Sequence, residues 1–333
     1  MDVLHGTQVP DPYRWMENEQ DPDLQKWIAA QRDYAERYLA SLPGREKVEK
    51  RLKALWNYAR VSAPTRHGKL WFQYRNNGLQ NQSVLYVMRS PTDPGRVLLD
   101  PNQLAADGTV AVNSLSISPD GRYVAYALSK AGSDWQTWHI RRVEDGKDLP
   151  DRIAWSKFSG AAWLPDGSGF YYARYDAPKP GEELSAANYH QKLFFHKVGT
   201  EQSEDRLVYQ RPDQPEWGFS PTVTEDGRFL IIHVWKGTDS RNRLFYQDLR
   251  HKDGKIQPLV AELEASYDFV DNIGDTLLIQ TNLGAPRGRI IAIDVRQPDR
   301  RHWHTVVPQQ AETLRSAAVV NGLLALSYLK DAR

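Results

Sequence analysis

A repeating unit of about 50 residues constrains the fold of this chain more than any other feature of its sequence. In each unit a glycine-containing turn is followed by a run of aromatic or β-branched residues, as in Pro119-Asp120-Gly121-Arg122-Tyr123-Val124. The turn glycines are Gly68, Gly121, Gly167, Gly227, Gly274 and Gly322, with successive spacings of 53, 46, 60, 47 and 48 residues. Repeats of this length, built from short strands, are typical of β-propeller blades.

A second strand-like run follows the first in five of the units. These runs are Ser83–Val87, Thr137–Ile140, Lys192–Phe195, Arg243–Tyr246 and Gly288–Ile293. Turns containing Asp-Gly favour hairpins between such runs, because both residues tolerate positive φ. The sequence therefore predicts an all-β fold, a β-propeller of about five and a half blades.

The sixth unit begins at Asn321, and the sequence stops at Arg333, before a partner strand could follow. A propeller closes only when its first and last blades meet, because an open end leaves unpaired strand edges. We therefore expect a propeller that is incomplete at its C-terminal end. An intact chain with an unusual C-terminus is the alternative.

The first 61 residues have a different, helical period. Asp21-Pro22 resembles a helix start, and apolar residues follow at helical spacing as far as Leu42. Pro43-Gly44 breaks the pattern, and a second amphipathic stretch covers residues 45–58. The sequence predicts an N-terminal helical hairpin over residues 1–61 and a propeller over residues 62–333.

Composition excludes several classes of protein and of site. Cysteine is absent, which excludes disulfides, thiolate metal sites and a cysteine nucleophile. The formal net charge of +1 gives no reason to expect nucleic acid or an anionic membrane as a partner. Mean hydropathy is −0.64, and no apolar run approaches the roughly 18 residues of a membrane span. The start of the chain does not resemble a secretory signal, so we expect a cytoplasmic protein, with the periplasm as the alternative.

The residues alone reveal no catalytic centre. The pentapeptide Gly-x-Ser-x-Gly of a hydrolase nucleophile elbow does not occur, and Gly167-Ser168-Gly169 belongs to a repeat turn. His302 and His304 flank Trp303 at strand spacing, which suits a solvated strand face better than a metal pair. His190 and His196 give no stronger metal signal. We therefore predict no catalytic residue, no metal and no cofactor in this chain.

Several collinear segments together resemble the N-terminal half of the prolyl oligopeptidases, the post-proline serine peptidases. The first runs from His5-Gly6 through Val9-Pro10 to Glu17, and it resembles the family's entry motif, which usually reads DPYRWLE. The others are Leu99–Asn102, Asp107–Thr109, Ser118–Gly121, the SKAGSDW stretch Ser129–Trp135, Lys157–Ser159, Trp163 and Gly169–Tyr172.

The resemblance implies a seven-bladed propeller joined to an α/β-hydrolase domain. In the family, that hydrolase domain is assembled from the N-terminal helical segment and the C-terminal half, which carries the Ser, Asp and His of the triad. This chain would then be the N-terminal and propeller part, inactive by itself. The propeller of the family covers the active site and restricts access to short proline-containing peptides, which are the expected substrates.

Motif matching places three propeller residues in the substrate cavity of such an enzyme. They are Phe158 from Lys-Phe-Ser, Arg243 from Asn-Arg-Leu-Phe-Tyr, and Trp217. Ordinary packing between blades is the alternative for Phe158. For Arg243 the alternative is an ion pair with a nearby carboxylate such as Asp248.

Two other functions remain open from the sequence. One is a self-sufficient propeller that binds proteins or peptides, which requires Leu323–Leu326 to pair with a strand near the start of the propeller. The other is an enzyme that hydrolyses with groups carried on the propeller itself. If the hydrolase domain is instead the missing partner, the aromatic residues Trp27, Tyr34, Tyr38 and Trp56 should be exposed in this chain.

Overall fold

The computed structural model describes residues 1–183, 185–251 and 254–331, and these divide into two compact units. Unit 1 contains Met1–Arg60 and Asn77–Leu79, and unit 2 contains Val61–Asn76 and the described residues from Gln80 onward. Ala332 and Arg333, the last residues of the predicted propeller range, lie outside the described part of the chain.

Unit 1 contains a small hairpin and two helices. Strands β1 (Asp2–Leu4) and β2 (Thr7–Val9) pair antiparallel, and a single 3₁₀ turn follows at Arg14–Glu17. Helix α1 spans Pro22–Ser41 and α2 spans Arg45–Trp56. The Asp21 side chain caps α1 by accepting a hydrogen bond from the Asp23 backbone N–H at 2.8 Å. The predicted helical hairpin is confirmed.

The helices of unit 1 expose many of their large apolar side chains. Leu24 is buried, whereas the exposed fractions of Trp27, Tyr34, Tyr38 and Trp56 are 45%, 64%, 59% and 58%. The predicted exposure of these four aromatic residues is therefore confirmed. In the described part of the chain, no helix is both long and apolar enough to cross a membrane.

Unit 2 is built from successive antiparallel sheets, after the two-residue strand β3 (Arg60–Val61). Sheet 1 contains β3, β4 (Thr65–His67), β5 (Leu70–Asn76), β6 (Val84–Met88) and β7 (Arg96–Leu99). Sheet 2 contains β8 (Val110–Ile117), β9 (Tyr123–Lys130), β10 (Gln136–Arg142) and β11 (Asp148–Ser156). Sheet 3 contains β12 (Ala162–Trp163), β13 (Gly169–Arg174), β14 (Lys192–Lys197) and β15 (Arg206–Tyr209).

The remaining described sheets continue the series. Sheet 4 contains β16 (Trp217–Val223), β17 (Phe229–Lys236), β18 (Arg243–Asp248) and β19 (Gln257–Val260). Sheet 5 contains β20 (Tyr267–Ile273), β21 (Thr276–Thr281), β22 (Arg289–Asp294) and β23 (His304–Val307). Sheet 6 is the hairpin of β24 (Thr313–Val320) and β25 (Leu323–Leu329). Single 3₁₀ turns lie at Pro101–Gln103, Gln202–Glu204 and Arg300–His302.

Within each four-stranded sheet the strands lie in sequence order, so each is a simple meander. The second-strand runs predicted from the sequence correspond to β6, β10, β14, β18 and β22. The all-β propeller-type architecture is confirmed, and the described residues of unit 2 form one five-stranded sheet, four four-stranded sheets and one two-stranded hairpin. One local expectation is wrong: His302 ends a 3₁₀ turn, so it does not share a strand face with His304.

Successive sheets pack face to face through separate hydrophobic clusters. Each cluster combines buried side chains of two consecutive sheets, for example Trp138 of sheet 2 with Phe170 of sheet 3. The other pairs are Phe72 with Tyr126, Leu193 with Phe219, Phe229 with Tyr267, and Ile290 with Leu314. Most of the aromatic residues in the repeats therefore fill the spaces between sheets.

The glycine turns between the first two strands of consecutive sheets also touch one another. A Cβ on Gly68 would lie 2.2 Å from the Asp120 carbonyl oxygen, and one on Gly227 would lie 2.6 Å from Pro165 Cγ. Both glycines have positive φ, so neither the space nor the backbone suits a side chain. The Arg228 guanidinium adds an ion pair to Asp275 of the next turn.

A buried histidine links sheets 2 and 3. His196 Nδ1 lies 2.6 Å from Asp205 Oδ1, and its Nε2 lies 3.0 Å from Asp151 Oδ1. The three side chains have no exposed surface. Because both ring nitrogens face carboxylate oxygens, both must donate, which requires the imidazolium form. The Tyr172 hydroxyl donates to the second oxygen of Asp205 at 2.6 Å.

The pKa of His196 follows from this environment. Burial alone would lower it, but the hydrogen bonds to Asp151 and Asp205 outweigh burial and raise the pKa to about 9. Burial opposes ionisation of Asp151, yet its hydrogen bonds with His196 and the Gly199 N–H hold its pKa below the usual value. The folded state therefore favours the charged cluster.

We expect His196→Phe to lower the free energy of unfolding by about 3–5 kcal/mol, because it leaves two buried carboxylates without their partner. In the wild type, the His196 contribution is fully present below the unfolded-state pKa of about 6.5 and is lost as pH rises through about 9. Urea unfolding at pH 6.5 and pH 9.5 measures both effects. His304→Gln, at an exposed position, is the control, and an equal loss in both variants would contradict this role of His196.

Candidate functional site

Phe158 lies in the short segment between β11 and β12, and the residues around it are fixed by hydrogen bonds. Ser156 Oγ donates to the Ala173 carbonyl, and Ser159 Oγ accepts from the Ala173 N–H, both at 2.8 Å. The Gln191 amide donates to the Lys157 carbonyl at 2.9 Å. These bonds tie both sides of Phe158 to sheet 3.

The backbone of Phe158 is itself strained. Its φ is +55°, in the left-handed region that a bulky residue rarely adopts. Such a conformation persists where its surroundings hold it, and it often accompanies a functional position. Here the result is a side chain that remains 45% exposed although Ser156 and Ser159 beside it are buried.

The Phe158 ring forms part of the wall of a cavity of about 620 Å³. This volume is within the range of small-molecule and peptide sites. The lining residues are Phe158, Tyr175, Asn188, Tyr189, Glu216, Trp235, Lys236, Gly237 and Thr238. Glu216 and Lys236 form an ion pair of 2.7 Å. The cavity therefore has aromatic walls, and the charges of Glu216 and Lys236 in its lining neutralise each other.

Trp235 of β17 faces Phe158 across this cavity. Their ring centroids are 6.1 Å apart and nearly perpendicular, at 86°. The Trp235 ring covers Gly218 on the neighbouring strand β16, where a Cβ would lie only 1.9 Å from its Cζ2 atom. A glycine is therefore needed at position 218 for Trp235 to lie flat on the sheet.

Arg243 and Trp217 form a second cluster in sheet 4. The guanidinium carbons of Arg243 and Arg211 lie 4.6 Å and 4.5 Å from the centroid of the Trp217 ring. Arg243 Nε donates to the Ala261 carbonyl at 2.8 Å, and burial lowers the pKa of Arg243. Its Nη1 is buried and has no hydrogen-bond partner among the described residues.

The ion pair with Asp248, which the sequence left open for Arg243, does not form in this structure. Asp248 lies at the far end of β18 and pairs with Arg250 at 2.6 Å. Arg211 has its own carboxylate partner in Asp213, also at 2.6 Å. Arg243 therefore keeps an N–H group that a ligand could use.

The structure brings two of the three sequence-predicted binding residues into direct contact, namely Arg243 and Trp217. Phe158 lines the cavity, whereas Arg243 and Trp217 are not among its described lining residues. The sequence reasoning missed Trp235, Tyr175 and Asn188. Gly218 within a strand run was an available signal, because a strand glycine often marks the close approach of another group.

The cavity has the volume and the aromatic walls of a ligand site, and among its described lining residues no hydroxyl group is hydrogen-bonded to a base. Aromatic rings and Arg243 suit contacts with apolar and carbonyl groups. Among the described residues, no group of three or more His, Asp or Glu side chains is placed to hold a metal ion.

Comparison with known proteins identifies the domain type. The family model for the N-terminal β-propeller domain of prolyl oligopeptidase matches residues 1–333. The chain is 37% identical over 331 residues to a prolyl endopeptidase of Elizabethkingia miricola, covering 99% of this chain and 46% of the relative. It is 36% identical over 329 residues to the dual function macrocyclase-peptidase POPB of Galerina marginata, covering 91% and 45%.

Solved structures give the same result. Prolyl oligopeptidase B from Galerina marginata, bound to a 35mer hydrolysis and macrocyclization substrate, matches with a TM-score of 0.86 at 33% identity, covering 97% of this chain and 48% of that one. A structure from a study of two prolyl endopeptidases matches with a TM-score of 0.76 at 36% identity, covering 99% and 48%. The chain thus spans about half the length of the relatives it matches.

We expect Gly218→Ala to displace Trp235 and to lower the free energy of unfolding by about 1–3 kcal/mol, because the added methyl group overlaps the indole. Gly160→Ala is the matched control, since a Cβ there meets nothing within 4 Å. Thermal unfolding and near-ultraviolet circular dichroism measure the two effects. Equal behaviour of the two variants would show that Trp235 does not lie against Gly218 in solution.

Proposed function

We propose a function for this chain, which belongs to the prolyl oligopeptidase family and matches its N-terminal β-propeller domain. In this proposal the chain is the propeller part of a serine endopeptidase that cleaves short peptides on the C-terminal side of proline. The match of the family model to residues 1–333 is the observation that carries it. The propeller covers the active site and excludes folded proteins by size.

The proposed partner is an α/β-hydrolase domain that supplies Ser, Asp and His. The exposed aromatic residues of unit 1 support this, because Trp27, Tyr34, Tyr38 and Trp56 form more apolar surface than an isolated helical pair usually leaves in water. In the proposal, residues 1–61 pack against that domain and residues 62–333 form the propeller.

The proposed substrates are short proline-containing peptides, with Phe158, Arg243 and Trp217 on the propeller side of their binding site. The exposed ring of Phe158 in the cavity and the unpartnered Nη1 of buried Arg243 support these roles. Support for Trp217 is indirect, since its ring is 7% exposed and lies under the Arg243 guanidinium.

A self-sufficient propeller that acts as a binding module is not favoured. That function required Leu323–Leu326 to pair with an early strand, whereas in the described residues β25 pairs with β24 alone. Leu323 is 73% exposed in this arrangement. Hydrolysis by groups on the propeller itself also lacks support, because among the described lining residues Glu216 and Lys236 pair with each other and neither is hydrogen-bonded to the Thr238 hydroxyl.

A chimeric enzyme tests the proposed function. This chain replaces the matching segment of the Elizabethkingia miricola prolyl endopeptidase, and we expect the chimera to cleave a Gly-Pro chromogenic peptide. A serine-directed phosphonate should abolish the activity, because the hydrolysis depends on the relative's serine. Turnover by the 333-residue chain alone, insensitive to phosphonate, would contradict the proposal.

Variants of the chimera test the binding residues. Phe158→Ala should raise KM about tenfold with a smaller effect on kcat, because a cavity contact is removed. Ile273→Ala, at a position that is 68% exposed, is the control. Circular dichroism checks that each chimera folds, and a folded chimera that never cleaves the peptide would overturn the proposal.

We expect the 333-residue chain by itself to self-associate, because the apolar face of its helical hairpin lacks a partner. Light scattering measures this, and replacing Trp27 and Tyr34 by Gln should shift the chain towards a monomer. Replacing Val3 and Leu4, which are also exposed in unit 1, by Gln is the control. A compact wild-type monomer at high concentration would argue against the helical face as a docking surface.

A further inference from the structure

A buried lysine lies directly beneath the cavity wall. Lys157 is 7% exposed, and its Nζ lies 3.8 Å from the centroid of the Trp135 ring. No carboxylate among the described residues lies within ion-pair distance of this ammonium group. Its hydrogen-bond partner is the side-chain oxygen Oδ1 of Asn188, at 3.0 Å. Lys157 is therefore held between an aromatic face and one amide.

The lysine determines which way the Asn188 amide points. An ammonium group has only donors, so the atom that faces it must be the oxygen of the amide. The NH₂ group of Asn188 consequently points away from Lys157. Asn188 is an exposed residue that lines the cavity with Phe158 and Trp235, and the hydrogen bond of its side chain to a described residue is the one that its Oδ1 accepts from Lys157. The cavity is thus supplied with a free donor of fixed orientation.

The backbone around Asn188 is also anchored, although it belongs to the long connection between β13 and β14. The His190 N–H donates to the Pro215 carbonyl at 2.7 Å. Gln191 bridges two elements, because it donates to the Lys157 carbonyl and accepts from the Phe219 N–H at 2.6 Å. These bonds restrain the chain on the C-terminal side of Asn188, and the hydrogen bond from Lys157 orients its side chain, which reduces the entropy lost on binding.

The position of Trp135 is fixed in turn. Its Nε1 donates to the Glu183 carbonyl at 2.5 Å, and its ring packs edge to face with Trp155 at 5.4 Å. If the Asn188 side chain rotated, the Lys157 ammonium group could keep its hydrogen bond only by moving off the Trp135 ring, which stabilises its charge.

We propose that Asn188 is a binding residue that donates a hydrogen bond to a backbone carbonyl of a bound peptide, and that Lys157 is the positioning residue that orients it. A neutral donor beside the aromatic rings of Phe158 and Trp235 suits a peptide carbonyl next to an apolar side chain. The charged side chains that line the cavity, Glu216 and Lys236, neutralise each other in an ion pair. The inference rests on the proposed function, because it assumes that a peptide occupies this cavity.

Calorimetric titration of the chimera with the peptide Ala-Phe-Gly-Pro-Phe tests the inference, with the relative's catalytic serine replaced by alanine so that the peptide is not cleaved. Asn188→Ala should weaken binding about tenfold, since one hydrogen bond to a neutral acceptor is lost. Asn188→Asp should weaken it further, because a carboxylate presents only acceptors to the carbonyl. Asn113→Ala, an exposed asparagine outside this cavity, should bind as the wild type does.

A double variant separates positioning from a general structural effect. Lys157→Met should weaken binding about threefold by releasing the amide, yet it should cause no further loss in the Asn188→Ala background. A series of peptides, each with one backbone carbonyl reduced to a methylene, identifies the acceptor. We expect that the loss of one particular carbonyl weakens binding to the wild type but does not change binding to Asn188→Ala. Circular dichroism verifies that each variant is folded.

The outcomes distinguish a failure of the role of Asn188 from a failure of the proposed function. If the wild type binds and folded Asn188→Ala binds equally well, the role of Asn188 is wrong and the proposed function stands. Additive losses in the double variant would overturn the positioning role of Lys157. If the folded chimera without a further substitution does not bind the peptide at all, the proposed substrate class fails, and the inference fails with it.

Discussion

The whole of unit 2 depends on sheets that are apolar on both faces. Strand β17 shows the pattern, because Phe229 and Ile231 pack towards sheet 5 while Leu230 and Ile232 pack towards sheet 3. A sheet of this kind cannot leave either face in water, so it must be stacked between two others. Each repeat in the sequence therefore encodes one sheet, which is stable only when another sheet packs on each of its faces. Each internal sheet accordingly contributes side chains to two hydrophobic clusters.

The candidate site is a consequence of this stacking. Trp217 and Arg243 are the first residues of β16 and β18, and Phe158 lies just before β12. Residues at the ends of strands are positioned by the clusters beneath them yet still reach solvent. Trp217 shows both aspects, since it belongs to the cluster between sheets 3 and 4 and also supports the Arg243 guanidinium.

Local features of the fold could be predicted from the sequence, and long-range contacts could not. The glycine turns, the strands after them and the helix that starts at Pro22 follow from neighbouring residues. His196 gave no usable signal, because its partner Asp151 is 45 residues away and in a different sheet. The pairing of Phe158 with Trp235 was hidden for the same reason. Strand spacing misled at His302, where Arg300–His302 forms a helical turn instead.

The contacts between consecutive glycine turns give unit 2 two unequal ends. At one end, the turns at 68–69, 118–122, 164–168 and 224–228 are short, and neighbours such as Gly68 and Asp120 are in contact. The loops at the opposite end of the same strands are less uniform and reach 175–191. An insertion in a short turn must disturb the turn beside it, whereas the longer loops can change length independently. Over evolutionary time, new specificity would therefore accumulate in the loops at the end that carries Phe158 and Asn188, while the glycine turns that touch one another keep their length.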